Sequence, residues 1–194
     1  LAGVLTSIVH FFGDKNIALM TAGTVAVSID DEARGIDYFE RAIAEDALVN
    51  DNHYNLMVNL AALYINAEQF DKADPLLARL IAETSTKNPD VYAMQASSFY
   101  NNSKYAEAIE SLKKASELKG ESQPQWNSMM LAAYAELGQD DQAIALGESI
   151  LAKNPDDKRA ISNLALLYSN NEQPEKAVAL LDGARKRGLL NEAE

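Results

Sequence analysis

Apolar residues run along this chain in short helical stripes that come in pairs. Met57, Leu60, Ala61 and Tyr64 fall at i, i+3, i+4 and i+7, which is one face of an α-helix. Downstream, Ala73, Leu76, Leu77 and Leu80 repeat that spacing. Between the two stripes lies "YINAEQFDKA" (residues 64–73), polar at its centre and therefore read as a turn between antiparallel helices. Almost the same stretch returns as "YSNNEQPEKA" at 168–177, with six of ten positions identical. Weaker copies are "AVSIDDEARG" (26–35), "FYNNSKYAEA" (99–108) and "YAELGQDDQA" (134–143). Their starts are separated by 38, 35, 35 and 34 residues, a period that marks a stack of helix–turn–helix units. Each unit alone has too little core; stacking buries the shared face.

The repeated positions resemble the tetratricopeptide repeat family. The last unit matches its pattern best, with Ile161, Leu164, Ala165 and Tyr168, then Ala177, Leu181 and Ala184. The second unit gives Met57, Leu60, Ala61, Tyr64, Ala73 and Leu77, and the third Tyr92, Ala96, Phe99, Ala108, Leu112 and Ala115. The fourth gives Met130, Tyr134, Ala143 and Pro155; the first, the weakest, gives Leu19, Gly23, Gly35, Phe39 and Ala42. The resemblance implies an all-α fold, a right-handed superhelical solenoid of antiparallel helix pairs. It covers residues 16–191 as five units, about 16–49, 54–87, 89–122, 124–157 and 158–191. Residues 1–15, which include the apolar "LAGVLTSIVHFF", read as the second helix of a preceding partial repeat plus a turn. A sequence opening on Leu1 is expected to be a fragment or a processed product.

Small residues are required where two helix backbones approach, and larger ones fill the gaps between. Four departures follow from the pattern. Leu131 takes a small residue's place, so that helix is expected to be rotated or shifted. Gln95 replaces the usual Leu. Pro75 falls inside a second helix, where it removes a donor and crowds the Asp71 carbonyl, so a late start or a distortion is expected there. The four extra residues around "LVNDN" are the expected place for a bend.

Composition narrows the function. The formal net charge is −12 with a pI near 4.6, and the densest basic run is Lys186–Gly188, so nucleic acid is not a partner. There is no cysteine, which excludes disulfides and thiolate chemistry. The apolar N-terminal run is too short to cross a bilayer, so no direct membrane insertion is expected of this segment, which reads as soluble, cytoplasmic or periplasmic. His10 and His53 lie in different units without a second ligand at helical spacing, so each is read as satisfied or solvent-facing. The acidic groups Asp30–Asp31–Glu32, Asp140–Asp141 and Asp156–Asp157 fall at turns and are read as helix caps. Trp126 is read as a packing residue. No nucleophile turn, phosphate loop or dinucleotide fingerprint is present. No cofactor, no metal and no enzymatic activity are expected.

The resemblance further implies that the first helices line a concave face on which extended peptides or partner segments bind. The side chains beside each core stripe then become the groove contacts: Asn55, Asn59 and Asn66; Met94, Tyr100 and Asn101; Met129; and Arg159, Asn163 and Asn170. Asparagine pairs with a peptide backbone whatever its side chains, and methionine offers an adaptable apolar surface. Asn59 and Arg159 imitate parts of the carboxylate clamp of chaperone-binding members. The inward lysines are missing and the two lie three repeats apart, so chaperone C-terminus binding is not supported. The expected function is a non-catalytic protein–protein scaffold. The alternatives are self-assembly into a homo-oligomer through exposed repeat ends, or the interaction arm of a larger enzyme or regulator.

Overall fold

The computed structural model describes residues 15–44 and 51–190, which form ten α-helices in five antiparallel pairs, with no strand among them. The pairs are α1 (Lys15–Ser28) with α2 (Glu32–Ala44), α3 (Asp51–Asn66) with α4 (Phe70–Thr84), and α5 (Pro89–Asn101) with α6 (Tyr105–Lys119). They continue with α7 (Pro124–Glu136) and α8 (Asp140–Lys153), then α9 (Lys158–Asn170) and α10 (Pro174–Lys186). Each helix packs on the next in chain order, and the first helices also lie side by side, α3 against α5 and α5 against α7. Among the described residues no two second helices meet as extensively. Helices on the inner side of a curved stack approach more closely than those outside, so the first helices form the concave wall of a right-handed solenoid. The segment around residues 45–50, where a bend is expected, and the proposed partial repeat with His10 lie outside the described residues.

The five turns share one geometry. Asp30, Glu68, Ser103, Gly138 and Glu172 occupy equivalent positions, and all are left-handed, with φ between 56° and 63°. The next residue's N–H then donates back across the turn: Asp31 to Ala26 O, Gln69 to Tyr64 O, Lys104 to Phe99 O, Gln139 to Tyr134 O and Gln173 to Tyr168 O, all at 2.8–2.9 Å. This closure satisfies the last carbonyls of each first helix and fixes the reversal. Helix starts are marked by Pro89, Pro124 and Pro174 in the first turn, where the missing N–H costs nothing. Of the acidic groups, Asp31 accepts from Arg34 N and Asp157 caps α9 by accepting from Arg159 N and Ala160 N. Asp140 and Asp141 make no such side-chain cap bond and act on α8 only as first-turn charges.

Inside each pair the small residues sit where expected. A Cβ on Gly23 would stand 2.3 Å from the Phe39 ring, and one on Gly35 2.7 Å from Val27 Cγ2, so the first pair closes only because both positions are glycine. Ala61, Ala96, Ala108 and Ala143 are fully buried. Gln95 is half-buried and its Oε1 accepts a hydrogen bond from Ser111 Oγ, a polar contact at the place where Leu60 and Leu76 stand in the second unit.

Four expectations are corrected. Helix α4 begins on time at Phe70 and runs through Pro75; Pro75 and Asp71 are exposed, so the carbonyl deprived of its donor is open to water. Helix α7 is not rotated: Met130 and Leu131 are buried at the positions of Leu60 and Ala61. Leu181 is 37% exposed, and Val178 58%, because no described helix covers the outer face of α10. His53 is neither fully satisfied nor solvent-facing: Nε2 lies 3.4 Å from a Glu83 carboxylate oxygen, while Nδ1 is buried without a partner. Trp126 is buried, as a packing residue should be.

Candidate functional site

The concave wall is built from one face of each first helix, beside the stripe that enters the core. Asn59, Met94, Met129 and Asn163 occupy equivalent positions on α3, α5, α7 and α9. Asn66, Asn101 and Asn170 form a second row with Glu136, and Asn55 and Arg159 a third with Asp90 and Gln125. Between the first two rows runs a floor of small residues, Ala62, Ser97 and Ala132, ending in Leu166, which is 61% exposed. A small floor between taller polar rows leaves room for an extended backbone.

The asparagines Asn55, Asn59, Asn66, Asn101, Asn163 and Asn170 and Arg159 are all exposed. Asn101 turns its amide onto its own helix, donating to Ser97 O at 2.8 Å, which leaves mainly its oxygen for a ligand. Met94, Met129 and Tyr100 are half-buried and double as core: Met94 packs on the cluster around Met57 and Leu77, Met129 and Tyr100 on that around Ala96 and Leu112. The Tyr100 ring stands edge-on to Tyr105, and burial, aided by the Glu136 charge, holds its hydroxyl protonated beyond the ordinary range. Arg159 and Asn163 are brought together with Ser128 around a small cleft between α7 and α9. Asn59 on α3 and Arg159 on α9 are not brought together among the described residues. The groove hydroxyls of Thr21, Thr24 and Ser128 donate to carbonyls of their own helices.

On the opposite side of the wall, the repeated phrase makes a bond that the spacing of core positions does not show. Tyr64 OH donates to Glu40 Oε1 on the preceding second helix at 2.6 Å, and Lys72 Nζ reaches the same oxygen at 3.1 Å while lying over the Tyr64 ring. Tyr168 OH donates to Glu148 at 2.6 Å, with Lys176 over its ring. The Tyr64 hydrogen bond, then Lys72, outweigh burial and hold the Glu40 carboxyl below the usual range. Burial, then Glu148, push the Tyr168 hydroxyl up to about 12. The signal was available: Tyr, Lys and Ala are shared letters of both phrases, but the acid sits 24 or 20 residues upstream and only the fold brings it in.

The junction between the second and third units is different. Buried Asp74 accepts from Ser98 Oγ at 2.6 Å and Asn102 Nδ2 at 3.0 Å, and pairs with Lys104. Burial alone would raise its carboxyl; these three donors together hold it below the ordinary range. Among the described residues no group of three His, Asp or Glu side chains is placed to hold a metal ion, and no helix is long and apolar enough to cross a membrane.

Family models described as tetratricopeptide repeat match residues 89–122 and 134–192. No curated protein matches the chain. Among solved structures, MamA superposes with a TM-score of 0.74 at 19% identity, over 90% of this chain and 92% of its own. YrrB, described as a tetratricopeptide repeat protein with an unusual peptide-binding site, superposes with a TM-score of 0.71 at 18% identity, over 93% and 90%. At identities this low the superpositions show the fold alone.

Proposed function

Because the chain is a tetratricopeptide repeat protein, we propose that it is a non-catalytic interaction scaffold that holds an extended peptide or partner segment along its concave wall. The observation that carries this reading is the small-residue floor of Ala62, Ser97 and Ala132 between rows headed by Asn59 and Asn163, with Leu166 exposed at its end. Exposed amides on either side supply donors and acceptors for a peptide main chain, and Leu166 with the edges of Met94 and Met129 supplies apolar contact for side chains. Recognition of this kind depends on backbone geometry more than on ligand sequence, so moderate affinity for related extended segments follows. YrrB, with the same fold, carries a peptide-binding site by its own description, which is in keeping with this use of the wall.

The test begins with selection of extended peptides from a random library on the intact protein. Asn59→Ala combined with Asn163→Ala should raise the Kd of the selected peptides by roughly tenfold, two lost hydrogen-bond anchors, with helicity unchanged. Peptides that bind the double variant undiminished would place the site elsewhere.

A further inference from the structure

The five units act as controls for one another, and one junction differs in the size and lining of the cavity beside it. On the second helices, Ile43, Ile81 and Leu151 share a position that is Ser116 in the third unit. On the first helices, Leu19, Met57, Tyr92 and Ile161 share a position that is Asn127 in the fourth. At the junction of units one and two, the equivalent pair, Ile43 and Met57, packs in a single apolar cluster. Even so, a cavity of about 440 Å³ lined by Ile43, Leu60, Tyr64 and Leu76 remains beside that pair; its counterpart between units three and four, outside the concave wall and between α6, α7 and α8, is wider, about 640 Å³. This is within the ordinary size of a small-ligand pocket, roughly 300–1,000 Å³.

Its lining has a sense. Met130, Leu146 and Ile150 form an apolar floor. Asn127 accepts from Ser122 Oγ through its oxygen, which leaves its NH2 as a donor. Lys153 and Ser149 line the cavity without a partner among the described residues. Lys113, which also pairs with Glu110 at 2.8 Å, stands where Glu40 and Glu148 receive the tyrosine hydroxyl at other junctions; the Tyr134 oxygen faces this lysine and its hydroxyl proton is left to donate. Of the acids at the rim, Glu117 pairs with Lys114 at 3.0 Å, while Glu121 accepts only from the neutral Gln123 amide at 3.3 Å and keeps its charge. Asn127, Ser149, Lys153 and Tyr134 offer donors around an apolar floor.

We propose that this cavity is a second binding site, for an aliphatic group that carries a carboxylate. The carboxylate meets Lys153 and Asn127, and the aliphatic part lies on Met130, Leu146 and Ile150 toward Tyr134. The same chemistry is offered by a peptide ending in a free leucine and by a free aliphatic acid.

Calorimetric titration of the intact protein with N-acetyl-Ala-Ala-Leu, its C-terminal amide and octanoate tests the site. The free-carboxylate probes, or one of them, should bind, and the amide should bind about tenfold more weakly, as should all carboxylates to Lys153→Gln. Binding of the tripeptide alone assigns the site to free polypeptide carboxyl ends, and binding of octanoate alone to free acids; both support the proposal. Ser116→Ile with Asn127→Met restores the apolar pair of the first junction. It narrows the cavity toward the 440 Å³ of that junction and removes the Asn127 donor, so it should raise the melting temperature and weaken binding at least tenfold, a loss that cannot come from misfolding. Three results overturn the proposal: no binding of either carboxylate at millimolar concentration, equal binding of acid and amide, or binding undiminished in the Ser116→Ile, Asn127→Met variant. Binding lost only on Asn59→Ala with Asn163→Ala belongs to the concave wall and overturns it as well.

Discussion

Glu68 and Glu172 each hold a backbone conformation that suits glycine, and Gly138 shows what the position prefers. A left-handed L-residue costs about 1–2 kcal/mol, part of which glycine returns through its looser unfolded state. Both glutamates are exposed at the turn. Glu172→Gly should therefore stabilise the fold by about 0.5–1 kcal/mol, and Gly138→Ala should destabilise it by about 1 kcal/mol. Urea midpoints with unchanged slope measure both. A Glu172→Gly variant that is less stable than the parent would mean the glutamate side chain contributes something the turn geometry does not show. The repeated phrase predicts that a turn stands here, but not its strained residue, because Glu is not a usual left-handed residue. That position emerges only when five turns are compared in three dimensions.

At the scale of the element, each junction between units has its own chemistry on a common frame. Ile36, Ile109 and Ile144 occupy one position of the second helices and are buried, while the same position in α4 is Asp74. Facing it, Ser98 stands where Leu63 and Ala133 are found in neighbouring units. Buried polar networks of this type are often no more stable than apolar packing of similar volume, though removing one member is costly. Asp74→Ala should cost about 1–3 kcal/mol, since it strands Ser98 and Asn102. Asp74→Ile with Ser98→Ala copies the next junction, Ile109 with Ala133, and should recover most of that loss. The pH dependence carries a sign. The Asp74 carboxyl is held below its ordinary range, so its contribution is full above the unfolded carboxylate pKa and is lost as pH falls through the lower folded value. Thermal melts at acid pH should therefore converge for parent and Asp74→Ala below that range and separate above it. Curves that stay parallel from acid to neutral would show that the charge contributes nothing.

For the whole molecule, a solenoid is stabilised by nearest neighbours, so a helix covered on one side opens more readily than one covered on both. Helix α6 lies between α5 and α7, whereas α10 packs on α9 and leaves Val178 and Leu181 exposed. In this 194-residue protein, amide hydrogens within 174–186 should exchange at least tenfold faster than those within 105–119, by mass spectrometry on peptic fragments. Equal protection would show that the outer face of α10 is covered in solution. The concave wall was readable at this scale because its rows follow from a fixed period: once Tyr64, Phe99, Tyr134 and Tyr168 are aligned, Asn59 and Asn163 fall on one face. The cavity beneath Tyr134 was not readable, because Ser116 and Asn127 look ordinary in sequence. They matter only as a pair that faces across two helices.

Over the described residues, the sequence by itself determined the helix pairs, their register and the first helices' exposed faces, because helical periodicity and a repeat length near 34 residues are local properties of the polypeptide. The tertiary structure alone decided that Glu40 and Glu148 receive the phrase tyrosines, that Asp74 is buried among three donors, and that the cavity between units three and four is wider than its counterpart between units one and two. These depend on which residues of successive units face one another, and a contact across 20 or more residues is set by packing rather than by any pattern within a single helix.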